Sequence, residues 1–490
     1  MTLNIMPDWQ RYLNEVPQMD PSVYQARLFL VKKYPVRLIL RDYLPKMRAL
    51  LVANQLTDVS YWSAFDYLQH VNIQEQQPLA VNDFTWPAGA EFVRMYDRVV
   101  VMVDRAQFAT LWPTYPDATM YDRVDLFENG QLKQQLTLDD RGFVSRILNF
   151  EGQALQRIDY LTPSGDVAAQ EDCTTGRVTT QQQWTDQRSF ANMTELINEI
   201  VHRYLATLPA DDVVIASQTR RNVAALADVQ LAARLIMSNE ATHAEATIDL
   251  PAAAQETVFS RPSDLKKFKE RYGDSKPATW IAPYVTNPDT KRTATRDVLP
   301  IYWRIDDLSL PLQKAAMERF MQLAEFNTRI SVVISGKGDF SALRQLLNDK
   351  LALMADEDEK NQSKRDVFAA QFEFKGYLSE KQYLDYFNSG YLLVDLDLHP
   401  NTFLQALALT KGMPQINTVK TPYVEDGQNG KIIRDTAQLM IALNKYVDDS
   451  QIWFSAQQAA TNQAYKFDHQ ALWDRWQAVF NENTKDDGAA

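Results

Sequence analysis

The spacing of apolar and polar positions changes period twice along this chain, and each change marks a different kind of element. Up to about residue 75 a helical period alternates with short apolar runs. Val23–Lys32 reads as a helix, Val36–Leu40 as a strand, and Tyr43–Arg48 leads into a second helix. The aromatic run Tyr61–Leu68 has Trp62, Phe65 and Leu68 at helical spacing, which predicts one helix packing those side chains inward. From about 80 to 185 the period is two. Arg98–Val103, Arg123–Phe127, Leu132–Leu138, Phe143–Phe150 and Ala154–Tyr160 are predicted strands. Turns separate them at Glu128-Asn129-Gly130, Asp140-Arg141-Gly142, Glu151-Gly152 and Pro163-Ser164-Gly165. Asn-Gly between alternating runs favours a type I′ hairpin, whose central residues need positive φ. Strands joined this tightly form an antiparallel meander, not a parallel sheet.

At about 190 the helical period returns. Met193–Leu205 and Val223–Leu235 are predicted helices, with short strands at Val213–Ala216 and from Leu235. The simplest account is one α/β domain interrupted by the meander. Residues 252–295 are polar and loop-rich, suiting a connection. A second α/β pattern follows: strand Leu299–Ile305, helix Leu310–Phe326, strand Arg329–Ser335, helix Phe340–Leu347, a solvated charged loop at Asp356–Arg365, and strand Phe372–Phe374. Its clearest unit is strand Tyr391–Leu398, a break at Pro400, a helix capped by Asn401 or Thr402, and strand Gln415–Val419. Gly412 and Pro414 end that helix near Lys411. Ile432–Val447 completes the domain, and Trp473, Trp476 and Phe480 form an apolar helical face in the tail.

Composition narrows the classes. The chain has 490 residues, enough for roughly three domains. Its net charge of −12 argues against a nucleic-acid surface. One cysteine, Cys173, excludes internal disulfides and Cys-based metal sites and suggests a small buried apolar side chain. No run approaches the ~20 apolar residues of a spanning helix, and the N-terminus lacks a signal pattern, so a cytoplasmic protein is expected, with peripheral membrane association at most. The five histidines (His70, His202, His243, His399, His469) form no helical pair, so no metal is expected. His243 is a candidate for a cleft-facing residue, with an exposed polar loop position the alternative.

The unit at 391–419 resembles the nucleotide-sugar half of two-domain GT-B glycosyltransferases. The resemblance implies an α/β, GT-B-like fold: two Rossmann-type domains facing a cleft, here with an inserted antiparallel extended β-sheet domain. The expected partition is 1–78 with 190–290, the insert 79–189, a second domain 291–470, and a C-terminal helix at 471–490 crossing back. In active retaining members two carboxylates, eight residues apart, hold the donor sugar. Anchored on Gly412 and Pro414, those positions fall on His399 and Leu407. A slip of two residues gives Asp397 and Gln405, still not an acid pair. Asp395 and Asp397, two residues apart, could be a displaced pair or could serve the strand's end. The family's diphosphate-neutralising Arg corresponds to Arg304, but its Lys falls on Ser309. Gly336-Lys337-Gly338, between a strand and a helix, could cradle a phosphate or simply turn. The expected donor-pocket remnant is therefore Arg304, Gly336, Lys337, Gly338, His399 and Thr402, with no catalytic residue and no cofactor.

Longer strings carry a narrower resemblance: Met6-Pro7-Asp8-Trp9, Tyr61-Trp62-Ser63-Ala64-Phe65-Asp66, Asp83-Phe84-Thr85-Trp86-Pro87, Asp139-Asp140-Arg141-Gly142-Phe143-Val144-Ser145, and Tyr160-Leu161 with Gly165-Asp166. Together they resemble the first component of the Asp group in the accessory Sec system of Gram-positive bacteria. That resemblance implies a transferase-shaped protein without known transferase activity. The partners it implies are the second and third Asp components, a serine-rich repeat adhesin and the accessory SecA motor. The alternative is an active retaining glycosyltransferase acting on such an adhesin.

Overall fold

The computed structural model describes residues 1–10, 19–72, 77–114, 119–180, 187–240, 250–288, 297–354 and 359–481. The chain forms two compact units, Met1–Val258 with Lys267–Thr279, and Phe259–Lys266 with Trp280–Ala490. His243 lies outside the described residues.

A seven-stranded sheet runs in the order Ala278–Trp280, Ala254–Phe259, Arg234–Asn239, Val213–Ser217, Leu3–Met6, Val36–Leu40, Ser60–Ser63. Leu3–Met6 pairs in parallel with both neighbours, and all four of its residues are buried. A central parallel strand covered on both faces needs such a continuous apolar run. The run expected as a single helix at 61–68 is divided. Ser60–Ser63 is a strand, and the Ser63 hydroxyl accepts from the Asp66 N–H (3.2 Å), capping a helix at Ala64–Leu68. Phe65 and Leu68 are buried as expected, but Trp62 is half-buried and stacks flat on Tyr204 at 4.0 Å. Two further expectations shift. Helix Arg220–Ala225, capped by Thr219, is shorter than the predicted 223–235: it ends at Leu226, a turn follows, and residues 234 and 235 belong to the strand Arg234–Asn239. The supposed connection at 252–295 holds strands Ala254–Phe259 and Ala278–Trp280 and helix Pro262–Tyr272.

Between helices Ala64–Leu68 and Met193–Leu205 lies a ten-stranded antiparallel sheet, from Glu91–Arg94 to Ser189–Phe190, in which each strand pairs with its sequence neighbours. All five predicted strands are present. Asn129 and Gly130 have φ of 52° and 74°, the conformation their hairpin requires. Five further strands escape the pattern, among them Glu91–Arg94, exposed throughout, and the three-residue Val178–Thr180. Glu91–Arg94 is exposed and Val178–Thr180 very short, and Ala106–Pro113 and Val167–Asp172 bury consecutive residues, so none of these shows a clean alternation. Cys173, on this sheet's periphery, is half-buried.

The second unit carries a six-stranded, wholly parallel sheet in the order Phe372–Lys375, Ile330–Ser335, Leu299–Arg304, Leu392–Asp395, Gln415–Asn417, Gly430–Ile432. Its core joins Trp303, Phe320, Val332, Val394 and Trp453. The βαβ unit forms as predicted. Its helix, Thr402–Thr410, closes in a Schellman motif: Gly412 (φ 58°) donates to the Leu409 carbonyl and Met413 to that of Ala408. From Glu359 the expected charged loop is instead a helix, ending at Ala370. In the tail helix His469–Asn481, Trp473 and Trp476 are buried and Phe480 stacks on Trp476. No helix among the described residues is long and apolar enough to cross a membrane.

Candidate functional site

In a parallel α/β sheet, ligands bind beyond the carboxyl ends of the strands, where the strand order reverses. In the second unit that point lies between Leu299–Arg304 and Leu392–Asp395. Arg304 ends the first of these strands, and its guanidinium is almost entirely buried. Nε donates to Asp306 Oδ2 at 2.7 Å, and Nη1 reaches Asp395 Oδ1 at 3.3 Å and the His399 carbonyl at 3.2 Å. Nη1 also lies 2.6 Å from Asp397 Oδ2, an ion pair without hydrogen-bond alignment. One guanidinium thus faces three carboxylates.

Several other groups that could bind a phosphate have partners within the chain. Lys337 N–H donates to Asp306 Oδ1 at 2.7 Å. Gly336 is the residue that lets this happen, since a Cβ there would lie 2.9 Å from that same oxygen. The loop is built around an internal acid. Lys337 Nζ sits over the Tyr377 ring at 5.1 Å. At the N-terminus of helix Thr402–Thr410, Asn401 N–H donates to Asp395 Oδ2 (2.8 Å), and Leu404 N–H donates to the Asn401 side chain (3.1 Å).

Electrostatics follow from the crowding. Burial works against the Arg304 charge, but Asp395, Asp306 and Asp397 outweigh it and raise its pKa. Burial also raises Asp395, opposed by Arg304. Burial pushes Asp397 up to about 7 against the pull of Arg304, with the Asp395 charge adding to the rise.

Of the residues singled out from sequence, Arg304, Gly336, Lys337 and the main chain of His399 are linked through Arg304 and Asp306. The His399 side chain is exposed. Gly338 turns away at φ 144°, and Thr402 is half-buried as the first residue of its helix. Leu407 is buried and apolar, and Gln405 is buried, accepting from Thr421 Oγ1 at 2.6 Å. Sequence reasoning misses Asp306. Its spacing from Arg304 resembles any surface turn, and only the fold brings it to the glycine loop.

A second charged cluster lies in the first unit, where two of the motif strings meet. Arg141 gives both Nη groups to Asp66 (2.6 and 2.9 Å), and Nε and Nη2 to Asp139 (2.7 and 2.8 Å). Gln69 Nε2 donates to the carbonyls of Ser145 (2.6 Å) and Leu161 (2.7 Å), and the Tyr43 and Ser145 hydroxyls share a hydrogen bond. Tyr43, Phe65 and Tyr160 pack ring against ring beneath it. This cluster fastens the antiparallel sheet to the parallel one. Among the described residues no group of three or more His, Cys, Asp or Glu is placed to hold a metal ion.

Known proteins fit this picture. A curated relative from Streptococcus gordonii is 25% identical, covering 96% of this chain and 95% of its own. One from Staphylococcus aureus is also 25% identical, covering 89% and 88%. Among solved structures, the Streptococcus pneumoniae complex of accessory secretory proteins 1, 2 and 3 contains a chain that is 20% identical, with a TM-score of 0.78 over 99% of both chains. The pneumococcal O-GlcNAc transferase GtfA, solved with UDP and GlcNAc, is 14% identical with a TM-score of 0.73, again over 99% of both. The fold is GT-B-like. The family model for the first Asp protein of the accessory Sec system matches residues 3–483. The chain belongs to that family of accessory Sec system proteins.

Proposed function

We propose that this protein is a non-catalytic, transferase-shaped component of an accessory export system. It works by binding, in the cytoplasm, within a complex with the second and third Asp components. Its client is a serine-rich repeat adhesin, which it helps hand to the accessory SecA motor. The solved relatives support the complex: one is an assembly of accessory secretory proteins 1, 2 and 3, another a Gap123 complex from Streptococcus agalactiae. Within the chain we assign 79–189 as the insert, 1–78 with 190–290 as the first α/β domain, 291–470 as the second, and 471–490 as the closing helix.

One observation carries the non-catalytic reading. Arg304, the cation a leaving diphosphate would need, is surrounded by Asp306, Asp395 and Asp397. Preorganised donors aimed at developing charge are usually the largest single term in such catalysis, ~10²–10³ in rate for one donor. Here those donors are directed at the chain's own acids, and no carboxylate occupies 399 or 407 to hold a sugar. The test has two arms. Co-expression with the second and third components should yield a stable complex on co-purification. Incubation with sugar nucleotides, with and without a serine-rich acceptor, should release no nucleotide above the blank. Release that Arg304→Ala abolishes would restore an enzyme, and a chain that purifies alone would remove the export role.

A further inference from the structure

On the ten-stranded sheet one row of side chains crosses four neighbouring strands. The register sets Trp112 beside Arg123, Arg123 beside Thr137, and Thr137 beside Arg146. Residues directly opposite in an antiparallel sheet share a face, so the four stand side by side. A pocket of about 500 Å³ opens over this row, lined also by Tyr43 and Lys46 from the loop before helix Met47–Ala53. Its cations are unequally matched. Lys46 pairs with Asp122, and Arg123 Nε lies 3.1 Å from Asp125 Oδ1. Arg146 is half-buried and has no such acid. Its guanidinium sits over the Tyr43 ring at 4.4 Å, and its Nε makes one long hydrogen bond, 3.4 Å, to Thr137 Oγ1. Among the described residues no carboxylate pairs with it, and its Nη groups have no bonded partner. Glu171, further along the same face, accepts from the Tyr160 hydroxyl instead, at 3.2 Å.

These features specify a ligand. A guanidinium held over an aromatic ring, with its terminal N–H groups unbonded at a pocket, is prepared for a planar anion, because two parallel N–H donors match the two oxygens of a carboxylate. Charge narrows the choice. Lys46, Arg123 and Arg146 face Asp122 and Asp125, which leaves one positive charge over. That balance favours a monoanion over a phosphate monoester, which carries about −1.5 to −2. Stacking narrows it further. Arg98, next to Val99 on one neighbouring strand, and Arg123, on the other, lie over the Trp112 ring at 4.7 and 4.6 Å, which leaves little of it open to a sugar or a base. Pro113 and Leu138 give the pocket an apolar wall. We propose that this pocket binds a single carboxylate on a short aliphatic stem, with Arg146 as its paired donor. The group is that of a glutamate side chain on another polypeptide, or of a small free carboxylic acid. The site depends on neither the export role nor the Arg304 crevice.

The test titrates the full chain with the peptide acetyl-Ala-Ala-Glu-Ala-Ala-amide and reads binding from the peptide's own NMR signals. The expected result is saturable binding that weakens as salt is raised. Replacing the peptide's glutamate by glutamine should weaken it by about tenfold or more, a comparison that leaves the protein untouched. Arg146→Gln should do the same while keeping the natural melting temperature. Arg146→Lys keeps the charge but not the paired donors, and should lose about threefold. If Arg146→Gln does not fold, Arg146→Lys and the glutamine peptide still decide. Propionate, the free counterpart of the glutamate side chain, separates the two sources. Propionate that competes at an affinity equal to the peptide's assigns a small acid, and a peptide that binds where propionate does not assigns a polypeptide. No binding of either, equal binding of the glutamine peptide, or affinity indifferent to both Arg146 variants would overturn the proposal. So would a phosphoserine peptide that binds more tightly than the glutamate one, since the site would then be built for a dianion.

Discussion

Two arginines, Arg141 and Arg304, are both buried among aspartates, yet they do opposite things. Arg141 meets two carboxylates with four directed hydrogen bonds, its charge-assisted donors paired at 2.6–2.9 Å. One of those partners, Asp66, is 75 residues away, so the cluster joins two sheets. Arg304 meets three carboxylates within reach of residues 304–306 and 395–397, and one of its contacts is a misaligned ion pair. Well-matched charge builds a joint. Around Arg304 three acids crowd one cation, and burial, with the Asp395 charge adding to it, raises the pKa of Asp397.

Several experiments would sharpen or break that contrast. The largest effect is expected from Arg141→Ala. It leaves Asp66 and Asp139 without their cation at a buried joint, at a cost of about 3–5 kcal/mol in denaturant unfolding. A loss below about 1 kcal/mol would mean that the aromatic packing of Tyr43, Phe65 and Tyr160 holds the joint unaided.

Asp397→Asn should act through pH. The folded-state pKa of Asp397, about 7, lies above its ordinary 3.8, so between these values the folded chain holds a proton that the unfolded chain has released. The stability this group contributes is full below about pH 4 and is lost as pH rises through about 7. Asparagine cannot ionise. The variant should therefore melt a few degrees above the natural chain at pH 8, with the gap closing towards pH 4. A gap that is constant with pH would show that Asp397 is ionised throughout.

Gly336→Ala is expected to cost about 1–3 kcal/mol, because its methyl group would press on Asp306. Smallest in free energy, and most telling for the crevice, is Asp306→Ala. It releases the Lys337 N–H and Arg304 Nε together. Calorimetry should detect weak pyrophosphate binding to this variant and none to the natural chain.

The fold is legible in the sequence where burial follows a clean period. The meander shows in its alternation and its Asn129-Gly130 turn, and the βαβ unit in Gly412 and Pro414. The failures are local and physical. At 60–68 the aromatic spacing suits a helix, but the Ser63 cap starts the helix only at Ala64. At 220–235 apolar residues span a helix and a following strand, and periodicity alone does not separate them. Arg304 is correctly placed at a strand end from sequence, but its environment is hidden there. Asp306 and Asp395 are 89 residues apart in sequence and meet on the guanidinium only because Leu299–Arg304 and Leu392–Asp395 are neighbours in the sheet. Conversely, the strings Tyr61–Asp66 and Asp139–Ser145 are recognisable as family marks without any hint that they bind each other.

On the non-catalytic reading proposed above, the Asp306 carboxylate takes the Lys337 N–H and the Arg304 Nε that a phosphate would need. The same reading predicts that acids placed at 399 and 407 confer no sugar transfer while Asp306 holds those two donors. For the same reason, compounds that imitate activated sugars should pass this protein by, leaving its binding surfaces as the places where a small molecule could interfere.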